Sequence, residues 1–158
     1  MAIDAGAQQR AQAEAVLVAS KALVGVAARS LAPVEEEVTL VQFRALLLVV
    51  EERATSPGDL ATFLDIHPSN ATRLVDRLVN KGLLDRESAE QDRRTVVLGA
   101  TEAGRTLIGD VLEQRRRQIE QILERMGPDA ARVAEVLGRF ATAAGESGDE
   151  AWRLGWVS

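Results

Sequence analysis

Residues 68–104 read PSNATRLVDRLVNKGLLDRESAEQDRRTVVLGATEAG, and the change of period inside this stretch decides the fold. From Pro68 to Asn80, the apolar residues Ala71, Leu74, Val75 and Leu78 fall three and four apart, the spacing of one helix face. Ser69, Asn70, Thr72, Arg73 and Arg77 are left for the opposite face. Pro68 suits the first helical position, Lys81 favours the negative end of the helix, and Gly82 fits the left-handed position that closes it. The period then shortens. Leu83 to Glu87 and Thr95 to Leu98 are strand-like, and Ser88 to Arg94 between them is polar or charged apart from Ala89. Two such strands around a polar tip predict a β-hairpin. Thr101 is placed to cap a following helix.

Upstream, Ser56–Pro57–Gly58–Asp59 is a helix start with Ser56 as cap, Pro57 at the first position and Asp59 at the third. This short helix ends near Leu64, and its Leu60, Ala61 and Leu64 can face a core. Asp65–Ile66–His67 is the turn into Pro68. Before it, Thr39 and Gln42 form a capping-box pair, which predicts a helix from Leu40 to about Arg53 with Phe43, Leu46, Leu47 and Val50 buried. A first helix from Gln8 to Leu31 is closed by Pro33. Downstream, a long helix runs from Thr101 to about Met126 with Leu107, Ile108, Val111, Leu112, Ile119, Ile122 and Leu123 on its apolar face. Gly127–Pro128 breaks it, and a last helix from Asp129 to Ala144 carries Ala130, Val133, Leu137 and Phe140. Trp152 and Trp156, beyond a polar stretch at 145–150, are assigned to packing on the first helix or on a partner chain.

The predicted class is therefore mainly α with a small β-hairpin: two helices joined by a tight turn, with the hairpin behind them as a wing. The 158 residues fit one domain over 1–158. Residues 39–100 form its central lobe, and helices at 8–31 and 101–156 carry more apolar surface than that lobe can cover. Two-fold pairing of copies would bury the surplus.

Composition closes other routes. The absence of cysteine excludes disulfides, thiolate metal sites, a cysteine nucleophile and a cysteine redox sensor. A single histidine makes a zinc site improbable, so neither metal nor cofactor is expected. Without paired carboxylates in an evident cleft, no enzyme is expected either. No uninterrupted run approaches 18 apolar residues and no signal peptide precedes the first helix, so the expectation is a cytoplasmic chain with no membrane partner. Nineteen basic and 24 acidic residues give −5, which by itself argues against nucleic acid. The charge is unevenly spread. From Ser69 to Arg94 six basic residues (Arg73, Arg77, Lys81, Arg86, Arg93, Arg94) stand against five acids (Asp76, Asp85, Glu87, Glu90, Asp92), +1 net, which leaves −6 for the rest.

The outward residues of the 68–80 helix are of the types that read a major groove. Asn70 can pair bidentately with adenine and Arg73 with guanine, while Ser69 and Thr72 reach bases or phosphates. Pro68 opens the helix at the end that welcomes a phosphate, and Arg77, a turn further on, suits the backbone. At the hairpin tip Asp92–Arg93–Arg94 offers a guanidinium to a minor groove with an aspartate to brace it, and Arg86 can support the wing or touch the backbone. Each feature alone has a plain explanation, as an amphipathic helix, solvated arginines or a charged turn. All three in this order point to double-stranded DNA. His67 is a helix-start residue close to that surface, Phe43 is a core residue and a weak candidate to line a ligand cleft, and Arg115–Arg116–Arg117 are assigned to ion pairs at the surface or between subunits.

Leu60–Ala61, Asn70 to Leu78, Gly82–Leu83–Leu84–Asp85–Arg86, Asp92–Arg93–Arg94, Val96–Val97–Leu98 and Thr101–Glu102–Ala103–Gly104 together resemble the MarR family of winged helix-turn-helix transcription regulators. The match runs from Leu40 to Gly104. It implies a recognition helix at Pro68 to Lys81, and a wing in which Arg94 enters the minor groove with Asp92 orienting it. It further implies a homodimer on a pseudo-palindromic operator, mostly repressing, and in many members release by small aromatic or lipophilic ligands. Two residues depart from the pattern: Ala100 stands where the family usually has Leu, and the wing lacks the frequent proline before Asp92. The competing class is a ligand-responsive, protein-binding adaptor that keeps this fold with little DNA binding.

Overall fold

The computed structural model describes residues 2–89 and 92–145, and side chains within them except at 2–5, 87–89 and 92–96. In chain order the elements are α1 (Ala2–Leu31), α2 (Leu40–Val50), α3 (Pro57–Leu64), α4 (Pro68–Asn80), β1 (Leu84–Ala89), β2 (Asp92–Ala100), α5 (Glu102–Met126) and α6 (Ala130–Ala143). Single 3-10 turns at Ala32–Val34 and Gly127–Asp129 follow α1 and α5, each holding the proline that ends its helix.

Local chemistry sets the boundaries of the central helices. Thr39 accepts from the Gln42 amide while the Gln42 side chain accepts from the Thr39 amide, a full capping box on α2. Ser56 and Asp59 do the same for α3. Asp65 ends α3 in the left-handed region at φ +51° and Gly82 follows α4 at φ +69°. Ala71, Leu74, Val75 and Leu78 are the buried face of α4.

The core lies where α2, α3, α4 and the root of the wing meet the first half of α5. Phe43, Leu46, Leu60, Val75, Leu78, Leu84 and Ile108 are enclosed there. The strands pair antiparallel, Leu84 opposite Ala100 and Arg86 opposite Leu98. The Leu98 amide also donates to the Thr55 carbonyl at 2.8 Å, so the chain before α3 lies along the outer edge of β2. Thr101 both caps and docks the start of α5. Thr101 Oγ1 donates to the Gly82 carbonyl at 2.6 Å and accepts from the Gly104 amide at 3.0 Å, and the Thr101 amide donates to the Leu83 carbonyl. A Cβ on Gly104 would lie 2.2 Å from that same Leu83 oxygen, so only glycine lets α5 approach the turn this closely.

Several expectations need correction. α1 begins at Ala2 rather than Gln8, because the Ala-rich segment before it continues the helix. α2 stops at Val50 instead of Arg53, since Glu52 takes a left-handed turn at φ +57°. Its buried face is also wider than one stripe. Gln42, Ala45, Leu48 and Val49 are buried with Phe43 and Leu46, while Leu47 and Val50 are only half-buried, because α2 is enclosed on several sides. Both strands extend further toward the tip than the β-branched run suggested. No residue of α6 is fully buried, and Leu137 and Phe140 are exposed. Residues 6–34 also contain an 18-residue window of mean hydropathy 1.6, long and apolar enough by length and composition alone to cross a membrane, a test that a helix of a soluble protein can pass as well. The average is high because Ala, Val and Leu surround the isolated charges Lys21 and Arg29, which interrupt any continuous apolar run. Trp152 and Trp156 lie outside the described residues.

Candidate nucleic-acid interface

The turn between α3 and α4 is built from its own side chains. His67 caps α4 through Nδ1, which accepts from the Ser69 amide at 3.3 Å and lies 2.8 Å from Ser69 Oγ. Accepting from that amide requires an unprotonated Nδ1. Thr72 Oγ1 donates back to the Pro68 carbonyl at 3.1 Å, which fixes its rotamer and leaves its lone pairs outward. Pro68, Ser69, Asn70, Thr72, Arg73 and Arg77 are all exposed. The apolar face of α4 is fully spent on the core, so these residues form one continuous outward surface. Among the described residues neither Arg73 nor Arg77 has an ion-pair or hydrogen-bond partner.

Two other cations of this stretch, Arg86 and Lys81, are engaged. Arg86 Nη2 meets Asp76 Oδ1 at 2.5 Å, tying β1 to α4. Of its two candidate roles, this contact serves the support of the wing. Lys81 Nζ donates to the Glu37 carbonyl and to Gln42 Oε1 at 3.3 Å, which fastens the end of α4 to the start of α2. Gln42 was legible only as a cap; its buried amide also receives Lys81, a long-range contact that spacing does not reveal. The side chains of Asp92, Arg93 and Arg94 lie outside the described residues, although their backbone is in β2.

Away from this face, Phe43 is 1% exposed and packs as core. The Arg115 guanidinium lies 5.5 Å from its ring centroid and donates through Nε to Ser30 Oγ at 3.1 Å. Burial pulls the Arg115 pKa below its usual value. Arg117 and Arg116 both pair with Glu113, at 3.0 and 3.9 Å, so these two form surface ion pairs within one helix while Arg115 points inward. Asp59 is held below the usual carboxylate range by its bond with the Ser56 side chain first and the Thr55 amide second. Among the described residues no three His, Asp or Glu side chains gather as a metal site.

Comparison with known proteins bears on the same elements. The model of the MarR family matches residues 38–96. The crystal structure of RV1404 from Mycobacterium tuberculosis is 36% identical, covers 87% of this chain and 93% of that one, and superposes with a TM-score of 0.78. A MarR family protein from Bacillus stearothermophilus is 26% identical over 86% of this chain and 96% of its own, with a TM-score of 0.72. The transcriptional repressor MprA of Escherichia coli K12 is 31% identical over 72 residues, 46% of this chain and 41% of that protein. The match with YfiV, an uncharacterised HTH-type transcriptional regulator of Bacillus subtilis, covers 58% of that protein. The chain thus spans about half the length of these two relatives, and nearly all of the two solved structures. The chain belongs to the MarR family of winged helix-turn-helix regulators.

Proposed function

We propose that the chain is a sequence-specific DNA-binding transcriptional regulator, acting as a homodimer that represses from a pseudo-palindromic operator. The observation that carries this is the outward face of α4. Arg73 and Arg77 are exposed and without partners among the described residues, beside Asn70, on a helix whose other face is locked in the core. A guanidinium and a carboxamide held this way match the donor and acceptor pattern of guanine and adenine edges. The capped N-terminus of α4 adds a positive dipole end for a phosphate. In this reading Pro68, Ser69, Asn70, Thr72 and Arg73 face bases and nearby phosphates, Arg77 the backbone, and Arg93 and Arg94, oriented by Asp92, the minor groove.

Residues 39–100 serve as the reading lobe, and helices within 8–31 and 101–156 pair the two copies. Supporting the pairing, α1 exposes Val16, Leu17, Val18, Leu23 and Val24, and α6 exposes Val136, Leu137 and Phe140. In an isolated chain these large apolar side chains stand in water, and a second copy would cover them. A small aromatic or lipophilic effector would act by preferring a lobe spacing that the operator does not fit. The test is selection of fragmented genomic DNA on the purified protein at stated salt, with sequencing of what is retained. A recurrent inverted repeat supports the proposal. Retention of every fragment equally, or of none, supports instead an adaptor of the same fold.

A further inference from the structure

We propose that Arg115, with Ser30 and Phe43, is a clasp that fixes where the lobe sits relative to the pairing helices. These would be positioning residues for the spacing of the two α4 helices. The inference rests on the DNA reading of α4.

Three elements meet at this point. Ser30 is the next-to-last residue of α1, two before the turn that leads into the lobe, and it is fully buried. Its hydroxyl donates to the Ala27 carbonyl at 2.8 Å, so it is left to accept from Arg115 Nε. The guanidinium lies over the Phe43 ring of α2. One turn further along α5, Gln118 Oε1 accepts from Arg29 Nε at 3.0 Å. Neighbouring residues of α1 are therefore held by residues three apart on α5. A slide of one residue along the axis, about 1.5 Å, would break both bonds.

Arg115 has no carboxylate partner among the described residues, and its charge is half-buried. For stability alone an apolar side chain of similar volume would serve as well, because removing a guanidinium from water is costly. What an apolar side chain lacks is direction. The planar fork of Arg stacks on a ring and donates along one line, so it defines an angle between helices that grease does not. That angle matters here because α5 runs on from the lobe core, at Leu107 to Leu112, to the segment beyond Arg115 that leaves it. A small rotation at the joint is carried to α4 by the rigid lobe.

The absence of cysteine makes the test direct. Asn80→Cys, at the exposed end of α4, gives one spin-label site per copy, and pulsed dipolar spectroscopy reads the distance between the two labels. With the parent clasp the distribution is expected to be narrow. With Arg115→Met or Ser30→Ala it is expected to broaden or shift by about 3 Å or more, with a melting temperature close to the parent's. Arg115→Lys is expected not to restore it. On operators with one base pair inserted or removed between half-sites, the parent's loss of affinity should shrink in both variants. Should Arg115→Met fail to fold, Ser30→Ala decides. A parent that does not pair or binds no DNA refutes the reading of α4, and the inference with it. A parent that discriminates spacing, beside variants with its distances or its spacing penalties unchanged, refutes the clasp alone.

Discussion

Arg73 and Arg77 share an exposed face of α4, yet their positions one turn apart give them different expected roles. Arg73→Ala should cost about 1–3 kcal/mol and relax preference at one base pair in each half-site. Arg77→Ala should weaken binding to all sequences alike and lower the salt slope by about one. Salt-titrated fluorescence anisotropy on the selected operator and on point variants separates the two, and equal effects on every sequence from Arg73→Ala would refute its role as a reader. Glycines allow a second comparison of single residues. Gly104→Ala meets the Leu83 carbonyl at 2.2 Å and should destabilise by about 1–3 kcal/mol. Gly138→Ala meets nothing within 4 Å and lies inside α6, so it should stabilise by a few tenths to about 1 kcal/mol. Urea denaturation of both variants checks the pair of signs.

At the scale of elements, short-range chemistry was legible and long-range enclosure was not. The capping boxes at Thr39 and Ser56, Pro68 at the start of α4 and Gly82 after it were all readable, because a cap involves residues within four positions. The extent of the α2 core, the edge contact of Leu98 with Thr55 and the inward turn of Arg115 were not, because they depend on elements far apart in sequence. Of the candidate interface, the α4 face could be written from its period alone, whereas the pairing of Arg86 with Asp76 could not. The α3 cap also sets a pH dependence. The Asp59 carboxyl is lowered in the folded chain, so its contribution is complete above the unfolded value of about 3.9 and disappears as pH falls through the folded value. The difference in melting temperature between the parent and Asp59→Asn should therefore be largest at neutral pH and vanish in acid. A difference that stays constant into acid would rule this out.

For the whole molecule the governing fact is surface left uncovered. Leu17 is 54% exposed and Val24 67% on α1, and Phe140 54% on α6. If a second copy covers them, Leu17→Glu combined with Val24→Glu should convert a dimer into monomer in sedimentation velocity, with the lobe still folded by circular dichroism. A parent that sediments as monomer at all concentrations would leave pairing without support. The acidic −5 of the chain fits this division of labour. Net charge is an average over the molecule, while DNA would meet only the lobe's outward face.

α5 belongs to two environments at once. Its first turns, through Leu112, are buried in the lobe, and its later residues are at most half-buried in the single chain. One continuous helix should therefore show two classes of amide hydrogen exchange. The first half should exchange only with unfolding of the lobe, at a rate independent of protein concentration. The second half should open on dissociation and slow as the protein is concentrated. The crossover along the helix should fall near Arg115, so residue-resolved exchange at two concentrations would locate the seam between folding and assembly.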